Sequence, residues 1–342
     1  MSRKLPPLSI AATLLSGAAH AEVPKVAVDI APVHSLVAIV MEGVGTPSLI
    51  VPPGASPHEY NLRPSQAAAL QEADLVFWLG EDLTPWMEGA MDTLTDDATV
   101  TSLLEADGTI LLEFREGALF EAHAHEDEHE QGHEGEHDHE DEHEHDDHSK
   151  EDGHEDHADG DDHDHDAHDH EGHDPHAWLS PDNAKTWLDI FAAQLSTVDP
   201  DNAETYLANA AAGRTEMDAH TAEVAEMLDP VRGSKFVVFH DAYQYFETAF
   251  DFPASGAISL GDASDPSPAR IAEIQGRIRE EGVECVLTEP QFNPGLVDTV
   301  LSGVDAKTGV IDPIGSDLEP GPDLYPQIIK GMASTLSECL EH

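Results

Sequence analysis

Residues 121–174 set the frame for any fold this chain can adopt, because they cannot contribute to a core. They hold 16 of the 23 histidines and 26 carboxylates, with Lys150 the only basic residue among them. The run EHDHEDEHEHDDH at 136–148 is typical. It has no apolar face at a period of 3.6 or of 2, so the stretch is expected to be a solvated, disordered insert in a folded chain. Its chemistry is coordination. Neutral imidazole is the commonest protein ligand for first-row divalent metals, and carboxylates add charge. The candidate accessory metal loop comprises His123, His125, His129, His133, His137, His139, His143, His145, His148, His154, His157, His163, His165, His168, His170 and His173.

Of the 342 residues, about 270 remain to fold once this insert and a leader are set aside, enough for two lobes of ordinary size. The formal net charge of -55 excludes a phosphate-backbone binder and makes cations the natural partners. The N-terminus reads as a secretory leader, residues 1–21. It has a basic start at Arg3 and Lys4, an apolar stretch over 8–19, and a small-x-small cleavage site ending at Ala21. No later segment has the apolar length to span a bilayer, and no cysteine lies near the cleavage site to carry a lipid. The mature product is therefore expected to be exported and soluble. Its two cysteines, Cys285 and Cys339, are expected to pair in an oxidising compartment, with two buried free thiols as the alternative.

Strand and helix signals alternate on both sides of the insert. Short β-branched or apolar runs at 25–30, 48–51 and 74–79 read as strands, and 110–114 as a further one. Helical patterns lie at 35–41, 64–70 and 84–91, the second with proline in its first turn. Beyond the insert, helical patterns run over 178–198 and 201–228. The latter spans about 40 Å if continuous, which suits a rigid connector. The theme then repeats, with strands at 234–239, 283–287 and 309–311 and helices at 242–249, 269–281, 296–301 and 324–339. The expected fold is α/β: two similar lobes with parallel sheets, joined by a long helix, with a site in the cleft between them. The boundaries are 22–200 for the first lobe, including the insert, 201–228 for the connecting helix and 229–342 for the second lobe.

Six histidines lie outside the leader and insert: His34, His58, His176, His220, His240 and His342. His58 follows the strand at 48–51, His240 follows the strand at 234–239, and His176 precedes the helix at 178–198. Strand ends and helix entrances are where α/β sheets place ligands. Three imidazoles converging from separate elements leave one position of a tetrahedral zinc site open. Glu59, Asp312, Glu289 and water are the candidates for that position. Asp241, beside His240, is a candidate to orient that ring or to cap a helix. His34 and His220 have no such context. Outside the insert there is no GxSxG elbow, HExxH motif or GxxxxGK[ST] loop, and no general base stands out; a zinc hydrolase and a metal-storage protein are the rivals to a metal carrier.

Five segments carry a resemblance. SPHEYNLRP at 56–64, ADLVFW at 73–78, DPHAWLSP at 174–181, FHDAY at 239–243 and TEPQF at 288–292 are similar to motifs of the cluster A-I periplasmic metal-binding proteins. Within that group the chain resembles the zinc-uptake proteins of the ZnuA type. The resemblance covers nearly the whole mature chain, the insert included. It implies a periplasmic, monomeric, non-enzymatic protein that captures Zn2+ and delivers it to an ABC import permease. It also implies His58, His176 and His240 as ligands, with Glu59 or water as the fourth and Asp312 a less favoured choice. His240 stands where manganese-carrying relatives have a carboxylate, and Cys285 and Cys339 match the family's disulfide. A manganese carrier of the same family and a zinc buffer are the alternative readings. Gln244 departs from the glycine expected after His240.

Overall fold

The computed structural model describes residues 23–115, 172–259, 267–292 and 294–341. The leader, His342 and the insert histidines from His123 to His170 lie outside the described residues.

The first lobe is built on four parallel strands: β1 (Val26–Val28), β2 (Ser48–Leu49), β3 (Leu75–Trp78) and β4 (Thr99–Ser102), in the order β2-β1-β3-β4. β1 and β3 are buried along their whole length, as expected for central strands with both faces covered. Between the strands run α1 (Ala31–Val40), α2 (Pro64–Gln71) and α3 (Glu88–Leu94). α1 starts four residues before the expected position. Pro32 lies in its first turn, where a missing N–H costs nothing, so it opens the helix instead of delaying it. The strand expected at 110–114 is not formed; only an isolated antiparallel bridge joins Glu113 to His173. The fourth strand is instead β4, an edge strand that sequence reading missed.

After the insert come α4 (Pro181–Val198) and α5 (Ala203–Leu228). Ser180 caps α4 by accepting the Asn183 N–H at 3.3 Å. The second lobe repeats the first with β5 (Phe236–His240), α6 (Gln244–Phe250), β6 (Ala257–Ser259), α7 (Pro268–Glu281), β7 (Cys285–Thr288), α8 (Pro294–Val300) and β8 (Lys307–Val310). Its parallel sheet has the order β6-β5-β7-β8, and α9 (Leu324–Leu340) closes the chain. β6 is a further strand not expected from sequence.

α5 packs against α1 and α4 of the first lobe and α9 of the second. Gly213 makes this approach possible: a β-carbon there would lie 2.9 Å from Ile39 Cγ2 and 3.2 Å from Leu188 Cδ1. One apolar cluster runs without a break across both lobes, from Leu36 and Val40 through Trp187, Tyr206 and Leu228 to Tyr325 and Leu336. Polar ties reinforce it. Ser35 Oγ donates to Pro322 O at 3.0 Å and accepts the Tyr325 N–H at 2.9 Å, and Trp178 Nε1 donates to Pro313 O at 2.9 Å. Cys285 and Cys339 form the expected disulfide, pinning β7 to α9. Among the described residues no helix is long and apolar enough to cross a membrane.

Candidate metal centre

In each sheet the strand order reverses beside a central strand, and the loops leaving the carboxyl ends there form the floor of a cleft. His240 is the last residue of β5. His176 opens the short 3-10 turn Ala177–Leu179 that leads into α4. His58 sits in the loop after β2. That loop is held by the Trp86 indole, which donates to Pro57 O at 2.7 Å, and by Ser56 Oγ, which accepts the His58 N–H at 3.3 Å. The ring centroids are 5.3 Å apart for His176 and His240, 5.5 Å for His58 and His176, and 6.4 Å for His58 and His240. One donor atom from each of the three lies within 4.8 Å of the others; His176 and His240 are buried and His58 is half-buried. A tetrahedral ion bound to nitrogen at zinc distances needs about 3.4 Å between donors, a difference that a side-chain rotation covers. The donor set therefore fits a first-row ion that favours imidazole.

Two carboxylates stand behind the rings. Asp174 Oδ1 lies 2.7 Å from His176 Nδ1 and also accepts the His176 N–H at 3.0 Å. Glu289 Oε1 lies 2.6 Å from His240 Nδ1. Both carboxylates are buried. Each favours the tautomer that donates from Nδ1 and carries its lone pair on Nε2, the arrangement that orients and strengthens a metal-binding imidazole. Glu289, a candidate fourth ligand in the sequence, thus serves as an orienting acceptor. Asp174 closes the histidine-acid run in the sequence, yet His173 and Asp174 already belong to the folded body.

Asp241 does not orient His240. Successive residues at the end of a strand point to opposite faces, and Asp241 turns away to pair with Arg115. It does not cap α6 either, whose N-cap is Tyr243. Burial raises the Asp241 and Glu247 carboxyls, and Arg115, which pairs with both, opposes that shift. Burial of Tyr243, with the nearby charge of Glu289, pushes its phenol well above its usual value.

The other expected residues fall elsewhere. Glu59 is exposed. Asp312 accepts the backbone N–H groups of Ile314, Gly315 and Ser316 at 3.1, 3.0 and 2.5 Å and so closes the turn after β8. Neither belongs to the converging donor group. His34 is buried in α1 with Nε2 3.1 Å from Pro47 O, and burial lowers its pKa. His220 lies on α5, 3.9 Å from Glu223. Trp178, Phe292, Pro313 and Ile314 wall the pocket beside the three histidines.

Fold and cleft together define a two-lobed α/β binding protein with a metal-type donor set between its sheets. Residues 26–339 match the model of the family described as "ZnuA: Zinc-uptake complex component A periplasmic". The high-affinity zinc uptake system protein ZnuA of Brucella abortus is 43% identical over 315 residues, covering 92% of this chain and 91% of that protein. The same-named protein of Paracoccus denitrificans is 43% identical over 336 residues, with 97% of each chain covered. Among solved structures, a ZnuA crystal structure superposes with a TM-score of 0.70 at 20% identity, covering 94% of this chain and 100% of that one. The chain belongs to the ZnuA family.

Proposed function

We propose that this protein is the extracytoplasmic component of a high-affinity zinc importer. It captures Zn2+ between its lobes on His58, His176 and His240 and delivers the ion to an ABC permease. The observation that carries this reading is the convergence of three imidazoles from three separate elements, two of them backed by buried carboxylates. Three nitrogen donors favour zinc over manganese, which prefers oxygen. Asp174 and Glu289 place two carboxylates against the +2 charge of the ion, so the loaded cleft is close to neutral and its desolvation is offset. Water takes the fourth position, because Glu59 is exposed and Asp312 is engaged in its own turn. The protein acts as a monomer without catalysis, exported by cleavage after Ala21. The 201–228 helix divides a first lobe, 22–200, from a second, 229–342. The histidines of 121–174 collect zinc weakly and exchangeably.

Calorimetric titration of the parental chain and of a variant lacking 121–171, with Mn2+ as competitor, tests both parts. Both chains should hold one tight zinc equivalent that excess Mn2+ does not displace, and the deletion should lose only weak equivalents. Unchanged total stoichiometry would refute the collecting role of the insert. Displacement by Mn2+ would refute the zinc assignment.

A further inference from the structure

The apolar interface is not the only tie between the lobes. Residues 110–115 leave the first lobe and cross to the second before the insert begins. At their start, Asn183 of α4 holds both backbone groups of Ile110: its Oδ1 accepts the Ile110 N–H at 2.7 Å and its Nδ2 donates to Ile110 O at 3.0 Å. Two residues on, the Leu112 N–H donates to the phenol oxygen of Tyr245 in α6 at 3.0 Å, and that phenol donates to Asp174 O at 2.8 Å. The Asp174 N–H returns to Leu112 O at 2.8 Å. The Gln244 amide, placed with its nitrogen toward its two acceptors, donates to Asp174 Oδ2 at 3.2 Å and to Glu113 O at 3.1 Å. At the end of the segment the Arg115 guanidinium forks onto two carboxylates of the second lobe. Nε lies 3.0 Å from each oxygen of Asp241, and Nη1 and Nη2 lie 2.7 and 3.0 Å from Glu247. Side-chain exposure is only 17% for Arg115, 9% for Asp241 and 5% for Glu247.

The two carboxylates are well placed to act on the metal site. Asp241 directly follows His240 in the chain. Glu247 also accepts the Ala254 N–H at 3.0 Å, so it is fixed to the body of the second lobe. The backbone that Leu112 and Tyr245 grip is that of Asp174, the orienting partner of His176. One clasp therefore fixes the segment carrying His176 to the segment carrying His240.

We infer that Arg115 is a positioning residue: its buried pairing with Asp241 and Glu247 clasps the lobes together beside His176 and His240 and sets how long a bound metal ion stays. The inference rests on the three-histidine reading of the site. A buried, doubly hydrogen-bonded ion pair resists separation, so its loss acts mainly on dissociation. A lysine could not reproduce the fork.

The test measures zinc loading and zinc release to a chelator by stopped flow. Arg115→Met should release zinc about tenfold faster or more, with loading changed far less, and Arg115→Lys should fall between it and the parent. Because Arg115→Met leaves two carboxylates bare, Arg115→Met/Asp241→Asn/Glu247→Gln removes the charges together and should show the same fast release. Parental release rates in either folded variant overturn the inference. Hydrogen exchange on the parental, zinc-free chain reads the clasp without any substitution. The Leu112 and Asp174 amides should be protected, and complete exchange of both at the shortest time overturns the inference as well. Absence of a tight zinc equivalent in the parental chain would instead refute the metal-site reading, and the exchange result would still judge the clasp.

Discussion

Behind His240 stands Glu289 and behind His176 stands Asp174, each at hydrogen-bond distance from Nδ1. Neutralising Glu289 as Glu289→Gln keeps the shape but removes the charge that holds the ring, and zinc affinity should fall on the order of 10–100-fold in a competition titration. An unchanged affinity would mean that Glu289 only fills space. Asp29 offers a prediction of another kind. It lies buried after β1, and burial raises its carboxyl from 3.8 to about 7 against the opposing backbone N–H groups of Leu79 and Ile30. In the unfolded chain the carboxyl ionises near 3.8, so between 3.8 and about 7 the folded state binds the extra proton. Stability should therefore decline as pH rises through that window, by on the order of a few kcal/mol. Asp29→Asn should lose this part of the slope when unfolding of the metal-free chains is followed against pH, and identical slopes would contradict it. The three converging histidines are legible in the sequence because each follows a strand or precedes a helix. Their partners are not. Asp174 is one acid at the end of a uniform run, Glu289 looks as much like a ligand as an orienter, and Arg115 sits in an irregular segment with no periodic signal.

The elements that sequence reading found were those with strong apolar runs, and those it missed show why. β4 reads Thr-Val-Thr-Ser and lies at the sheet edge, so it lacks the continuous apolar run that marked β3. The run at 110–114 has that apolar character but serves as the crossing segment, held by side chains instead of a ladder. β6 reads Ala-Ile-Ser, with one β-branched apolar residue and no apolar run to mark it. The disulfide is the one cross-link legible from composition and compartment. It closes a separation of 54 residues between β7 and α9. In the chain-entropy description its loss costs about 4 kcal/mol, so Cys285→Ser/Cys339→Ser should lower the thermal midpoint by several degrees. Cys285 opens β7 while Glu289 follows its far end, so zinc affinity should stay within about twofold of the parent. A large loss of affinity in that variant would show the strand end to be set by the bridge.

Across the whole molecule, the lobes share one apolar cluster and are stitched by Ser35, Trp178 and Tyr325 as well as by α5. An interface of that kind limits hinge opening, so capture and release are the work of the cleft lining and not of wide lobe separation. The two-lobe plan was readable from the alternation of strands and helices, whereas the breadth of the shared core was not, because it joins residues as distant as Leu36 and Leu336. The insert points to a metal, yet the site proposed to be selective is His58, His176 and His240, outside the histidine run. Calorimetric zinc titration of His58→Ala/His240→Ala, with the insert intact, separates the two most directly. The tight 1:1 equivalent should vanish while weak equivalents persist. Retention of a tight equivalent would contradict the assignment of the site.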